Sequence, residues 1–299
     1  MTLPNFVVIG APKSGTTSLF YYLKQHPDIY LPVRKELHYF SYHHLKKRLE
    51  GPGDRDAFVQ LCNSRNAYES HYRNVKAEKA IGEVSPSYLY YSDVAQTIKE
   101  TLGSVKIIVL LRNSVEKAYS QYMHLVREQL EFMTFYDALM EEEKRSNAGW
   151  SDIWLYAESS LYSEKIKDYI SVFGKENVKI ILFDDLIKQT DEVMVELFSF
   201  LSVDTTYKCD TRRVYNRTGN VKSKKIALFF SKKNQIKTAI KMILPERIRI
   251  WIRLAIQDLN TEAKPTIDKK SSAYLANFFS KDISNIEKII EANLDWKNK

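Results

Sequence analysis

The stretch Gly10-Ala-Pro-Lys13-Ser14-Gly15-Thr16-Thr17-Ser18-Leu19 gathers two of the chain's nine glycines, one lysine and four hydroxyls directly after the apolar run Phe6–Ile9. A strand that ends in a tight loop and opens a helix makes an anion site. Backbone N–H groups converge there, and the helix dipole favours negative charge. Gly10 and Gly15 have the spacing of the nucleotide-binding motif GxxxxGK[ST], but Thr16 stands where that motif has its lysine. The lysine is at Lys13, inside the loop. The loop is therefore expected to cradle a phosphate with its charge arriving from a different place, and the magnesium-binding logic of an ATPase is incomplete. A second pair lies further on. The run Lys106–Leu111 ends in Arg112, and Ser120 follows eight residues later, about two turns along a helix. A guanidinium that can grip oxygens in bidentate fashion, with a hydroxyl nearby, suits a second phosphate. The alternative for Arg112 is an ordinary salt bridge at a strand end.

These groups need a frame that brings strand ends together. Short β-branched runs at Phe6–Ile9, Lys106–Leu111 and Val178–Phe183, with a weaker one at Ala80–Gly82, read as buried strands. Helical patterns lie between and after them at Thr16–Gln25, Asp93–Leu102, Ser114–Val126, Phe135–Lys144, Leu161–Phe173 and Asp191–Leu201. The alternation predicts an α/β fold, a P-loop-like parallel sheet flanked by helices. Ligands on such sheets bind beyond the carboxyl ends of the strands, where Lys13 and Arg112 both fall. After Leu201 the strand signals stop. Lys224–Leu244, Glu246–Leu259 and Ser271–Asn293 read as helices, broken at Pro245 and Pro265, and predict a helical C-terminal portion. The simplest organisation is one domain over residues 1–299, with an α/β core over 1–210 and a loop and helical cap over 211–299.

Composition narrows the function classes. A chain of 299 residues with 44% hydrophobic and 27% charged residues is too apolar to be disordered and too polar for a membrane bundle. Two cysteines, Cys62 and Cys209, make no disulfide framework and suit a reducing compartment. The N-terminus has no basic stretch before its short apolar run, and no segment approaches 18 uncharged apolar residues. A soluble, cytoplasmic protein is expected, with room for a peripheral contact at the inner membrane face. The net charge of +8 is uneven: Arg212–Arg253 carries 13 Lys and Arg against the single acid Glu246, so the rest of the chain is net negative. That pattern argues for a local anionic partner rather than general nucleic-acid binding.

Pro12-Lys-Ser-Gly-Thr-Thr17 followed by Leu111-Arg-Asn-Ser-Val-Glu-Lys-Ala-Tyr-Ser120 resembles the two cofactor signatures of the sulfotransferases, which use 3′-phosphoadenosine 5′-phosphosulfate (PAPS). Arg34-Lys-Glu36-Leu-His38-Tyr-Phe40 and Glu83-Val-Ser85-Pro-Ser-Tyr88 are similar to stretches of the heparan-sulfate and carbohydrate type. Phe183-Asp-Asp-Leu186 and Leu294-Asp-Trp296 match further family positions. The resemblance implies that Lys13, Ser14, Gly15, Thr16, Thr17 and Ser18 hold the 5′-phosphosulfate and that Arg112 and Ser120 hold the 3′-phosphate. It implies that Arg217, Gly219 and Lys222 form a third cofactor loop. Departures fall on the acceptor side: Val84 replaces a lysine of the heparan-sulfate enzymes, and Ser41 replaces an acid.

The implied reaction is in-line sulfuryl transfer to a hydroxyl of a saccharide, glycolipid or related acceptor, with no bridging metal. Lys13 would stabilise the leaving phosphate. Glu36 is the expected general base and His38 its rival, both in a segment rich in charges and rings. Glu83, Ser85 and Tyr88 are expected on the substrate side, with Glu83 in an orienting or structural role. The basic amphipathic stretch 224–253 would either cap the sheet or meet a membrane or polyanion. Two other readings stay open on the residues alone: a P-loop kinase or NTPase, and a non-enzymatic polyanion- or membrane-binding protein.

Overall fold

The computed structural model describes residues 2–59, 61–212 and 265–298. Its elements run β1 (Phe6–Gly10), α1 (Thr16–Leu23), β2 (Ile29–Tyr30), α2 (Tyr42–Lys46), α3 (Asp54–Phe58), α4 (Arg65–Ser70), β3 (Ala80–Val84), α5 (Val94–Leu102), β4 (Lys106–Leu111), α6 (Ser114–Arg127), α7 (Phe135–Met140), α8 (Glu142–Asn147), α9 (Ser163–Phe173), β5 (Val178–Leu182), α10 (Phe183–Lys188), α11 (Thr190–Leu201) and α12 (Lys269–Ile290). The five strands form one sheet in the order β2-β3-β1-β4-β5, and every pairing is parallel. Phe6 lies opposite Gly82 on one side and Lys106 on the other. The chain leaves β1 toward β2 and β3, then returns to add β4 on β1's other flank. The loop after β1 thus sits where the strand order reverses, the position where such sheets bind ligands.

Successive strand residues face opposite sides of the sheet, and both sides are covered, so the strand runs are mostly apolar. Val7, Ile9, Ile107, Val109 and Leu111 join a core that includes Ile98 of α5, Ile166 of α9 and Leu275, Phe279 and Ile283 of α12. Phe6, Val8, Ile108 and Leu110 join a second core with Leu19 and Leu23 of α1 and Leu197 and Phe198 of α11. Both faces are covered, as a parallel sheet requires. The Asp282 carboxylate on α12 accepts from the amides of Tyr162 (3.0 Å) and Ser163 (2.9 Å), capping the start of α9.

The expected strands and helices are present over the described residues, with shifted ends. The stretch Phe135–Lys144 is two helices. Glu141 ends α7 and opens α8, which turns the Glu142 carboxylate inward onto the amides of Ala157 (2.7 Å) and Glu158 (3.1 Å). The helices expected at Lys224–Leu244 and Glu246–Leu259, and the loop with Arg217, Gly219 and Lys222, lie outside the described residues. No helix among the described residues is long and apolar enough to cross a membrane.

Candidate active site

The carboxyl ends of β1, β3 and β4 open into a cavity of about 810 Å³, within the range of roughly 300–1,000 Å³ typical of ligand sites. Its walls include Lys13, Gly15, Thr16, Thr17 and Ser18 of the loop and α1, Glu36 and His38, Arg112, and Phe183 and Leu186 of α10. Residues expected from four separate stretches of sequence therefore meet in one place.

The loop is shaped by its backbone. Gly15 takes φ +89° at the cap of α1, and a side chain there would lie 3.1 Å from the Phe183 ring and 3.2 Å from Leu186. Glycine alone fits both the conformation and the close approach of α10. Lys13, Glu36 and His38 also have positive φ, at 63°, 66° and 55°. A left-handed conformation costs a residue with a side chain about 1–2 kcal/mol. That three of the candidate groups share it is the kind of strain that clusters at functional sites.

Glu36 and His38 are held from behind by β3 and the turn after it. The Glu36 amide donates to the Val84 carbonyl (2.9 Å), the His38 amide to Ser85 Oγ (3.1 Å), and the Phe40 amide to Tyr88 Oη (3.3 Å). Beneath these bonds the Glu83 carboxylate accepts from Ser85 Oγ (2.7 Å), Tyr68 Oη (2.7 Å) and Tyr88 Oη. Burial pushes the Glu83 pKa up in spite of those three hydroxyls. Glu83, Ser85 and Tyr88 are buried and none of them lines the cavity. The three, expected on the substrate side with Glu83 in an orienting or structural role, brace the Glu36–His38 segment in this structure. Their sequence signal is real but local, because one strand end supplies the carboxylate and both hydroxyls.

Arg112 faces the cavity while tied into the frame. Its Nη1 donates to the Lys13 carbonyl (3.3 Å), and its Nε and Nη2 donate to Glu116 Oε2 (3.2 and 2.9 Å). The guanidinium lies 4.6 Å from the centre of the Phe183 ring. The salt bridge and the cavity-facing position, posed as alternatives by the sequence, hold together. Ser14 and Ser120 are fully buried and do not line the cavity, so in this structure they lie under the site rather than on its wall. Asn113 caps α6 through the amides of Val115 (3.0 Å) and Glu116 (3.3 Å), and its Nδ2 donates to the Trp296 carbonyl (3.3 Å). The Leu294–Trp296 stretch is thereby drawn to the strand end that presents Arg112.

The electrostatics distinguish the two central groups. Burial, then the nearby Arg127, lower the Lys13 pKa to about 7, while Glu36 pulls it back up and Arg112 and Lys35 push it further down. The Lys13 ammonium makes no hydrogen bond or ion pair with a described residue. For Glu36, burial raises the pKa, but Lys35 and then His38 outweigh it and hold the carboxyl far below the usual range. Lys35 Nζ donates to Glu36 Oε1, and His38 Nε2 stands 3.7 Å from Oε2. The Glu36 side chain keeps 43% of its surface open, and that surface faces the cavity. His38 Nδ1 lies 2.6 Å from Ser87 Oγ, which fixes the ring with Nε2 toward Glu36.

His124 was not anticipated from the sequence. It lines the cavity from α6, and Arg127 Nη2 donates to its Nδ1 (2.9 Å). Burial, then Lys13 and Arg127, hold its pKa well below the ordinary histidine value, so the ring is neutral. The available signal was helical spacing: Ser120, His124 and Arg127 recur at i, i+4 and i+7. Gln121 and Asp152 also reach the cavity.

Residues 4–207 match the profile of the sulfotransferase family. The chain is 37% identical over 125 residues to the membrane-associated sulfotransferase kil1 of Dictyostelium discoideum, a match covering 41% of this chain and 23% of that protein. It is 24% identical over 250 residues to carbohydrate sulfotransferase 15 of Mus musculus, covering 67% of this chain and 44% of that protein. It thus spans less than half the length of these curated relatives. Among solved structures, a sulfotransferase from Alicyclobacillus acidocaldarius superposes with a TM-score of 0.80 at 30% identity, and the match covers 100% of both chains. By its profile, and by this likeness over its full length, the chain belongs to the sulfotransferase family.

Proposed function

We propose that the chain transfers a sulfuryl group from PAPS to a hydroxyl of a saccharide or glycolipid, without a bridging metal. The observation that carries this reading is the convergence of Lys13, Glu36 and His38 on one cavity at the sheet's switch point. PAPS supplies the sulfuryl group, which passes to the acceptor oxygen as the nucleotide leaves as 3′-phosphoadenosine 5′-phosphate (PAP). The residues fit such a group: the Lys13 ammonium, which has no hydrogen-bond or ion-pair partner among the described residues, the N-terminus of α1 and a cavity-facing guanidinium all favour anions. The resemblance of the two signatures to those of PAPS enzymes supports the same assignment, and the names of the curated relatives support a saccharide.

Each residue then has a task. Thr16, Thr17 and the loop amides orient the anion, and Arg112 holds the second phosphate. Lys13 meets the charge that develops on the leaving oxygen. Glu36 takes the acceptor's proton. His38, pinned by Ser87, orients the Glu36 carboxylate. Lys35 now holds Glu36 too acidic for an efficient base. An anion drawn in beside Lys35 competes for that ammonium and raises the basicity of Glu36. Arg217, Gly219 and Lys222 complete the cofactor contacts in this proposal, and the whole chain acts as one sulfotransferase domain.

The test is transfer of label from ³⁵S-PAPS to glycolipid and saccharide acceptors in the presence of a chelator. Label should appear in the acceptor with no added magnesium. Magnesium-dependent nucleotide hydrolysis with no label transfer would instead favour a P-loop NTPase.

A further inference from the structure

The cavity's far end differs in character from the loop end. It is walled by Leu45, Leu49, Ala57, Phe58, Leu61 and Ile153. The charged side chains there, Asp152, Asp54 and Arg48, are committed to the wall, and Asp152 accepts from Tyr91 Oη (3.2 Å). The Asp54 carboxylate accepts from the amides of Gly51 (2.9 Å) and Ser151 (3.0 Å), from Ser151 Oγ (2.6 Å) and from Trp154 Nε1 (3.2 Å). Arg48 donates from Nε to the Trp150 carbonyl and from Nη2 to Ser146 Oγ, both at 2.9 Å. Among the described residues no other basic side chain lines this end; Lys13 and Arg112 belong to the loop end. A polyanionic chain held here would meet no cluster of cations among the described residues, and such recognition uses one.

The apolar character continues outward. Val59, next to Phe58, is 78% exposed, and Phe132 is 82% exposed. Phe132 lies on the loop that packs Leu130 against Gly53, at the start of α3. These two exposed side chains adjoin the segments that wall this end, and the apolar wall itself carries the argument.

We infer that the acceptor hydroxyl is carried on a molecule with an apolar alkyl body, which occupies the end between Leu45 and Ile153, rather than on a polyanionic polysaccharide. This rests on the sulfotransferase reading and names its substrate class. Alkyl carbon gains from transfer to such walls, and the hydroxyl is left toward Glu36 and His38.

The test is calorimetric binding of n-alkyl β-D-glucopyranosides, methyl to hexyl, to the protein with and without saturating PAP. Affinity should rise about two- to fourfold per methylene, the upper figure corresponding to about 0.8 kcal/mol per buried CH₂. Ala57→Glu, at an exposed helical position that opens on this end, should flatten the series, and Ala57→Leu should preserve it. A flat series in the unmodified protein, or tighter binding of the unsulfated polysaccharide heparosan than of the hexyl glucoside, would overturn the inference. If the series rises while PAP fails to bind, the sulfotransferase reading fails and takes the acceptor assignment with it, leaving only an alkyl-binding end. If PAP binds and the series is flat, the acceptor inference fails alone.

Discussion

Glu36→Gln is expected to lower kcat for sulfuryl transfer by about 10²–10⁴-fold, the usual contribution of a positioned general base. PAP affinity should stay within about threefold, because the amide keeps the shape of a group the account assigns to the acceptor side. The positioning supports the size of the effect. The Glu36 amide is bonded to Val84, and its carboxylate stands between Lys35 and His38. Steady-state kinetics with a responsive acceptor, together with PAP titration, separates the two quantities. Retained transfer in Glu36→Gln with loss in His38→Ala would move the base to His38. Loss in both with PAP affinity intact fits His38 as the group that orients Glu36.

The second large effect concerns Lys13 and pH. Its pKa is about 7 in the free protein, and a bound anion raises it, so binding takes up a proton. The sign follows from linkage. Well below pH 7 the ammonium is already charged and its own contribution to PAP affinity is at its plateau. Above pH 7 the free protein loses that charge, and affinity should fall by up to tenfold per pH unit until the bound-state pKa is reached. Phosphate monoesters lose their second proton near pH 6, so the nucleotide's own charge is constant over this window. Lys13→Ala should abolish the slope, weaken PAP binding and reduce transfer by about 10²–10³-fold, the scale of removing one group that stabilises charge in the transition state. Calorimetry in two buffers of different ionisation enthalpy near pH 8 reads the proton uptake directly. No uptake in the unmodified protein would remove Lys13 from the anion site.

The sheet was legible because β1, β4 and β5 are runs of five or six residues, mostly β-branched or leucine and interrupted only by Lys106 and Lys179, between turns. β2 was not, since Ile29–Tyr30 is two residues long. The helices α2, α3 and α4 were also missed: at five or six residues each they are too short to show a helical period. The loop end of the site was legible because Gly10, Lys13 and Gly15 are neighbours in sequence, and a resemblance tied Arg112 and Glu36 to them. The far end was not. Leu45, Phe58 and Ile153 come together only through tertiary packing, and each reads in sequence as an ordinary apolar residue. The same limit applied to Glu83: its three hydroxyl donors include Tyr68 on α4, a helix the sequence did not reveal.

The central claim is that the loop after β1 and the end of β4 together hold a sulfonucleotide. Thermal unfolding with and without saturating PAP tests it most directly, comparing the unmodified protein with Lys13→Ala/Arg112→Ala. A ligand at 100 times its Kd stabilises the native state by about 2.7 kcal/mol, so the unmodified protein should show a clear rise in Tm that the double variant largely loses. No rise in the unmodified protein, or an equal rise in both, would contradict the account.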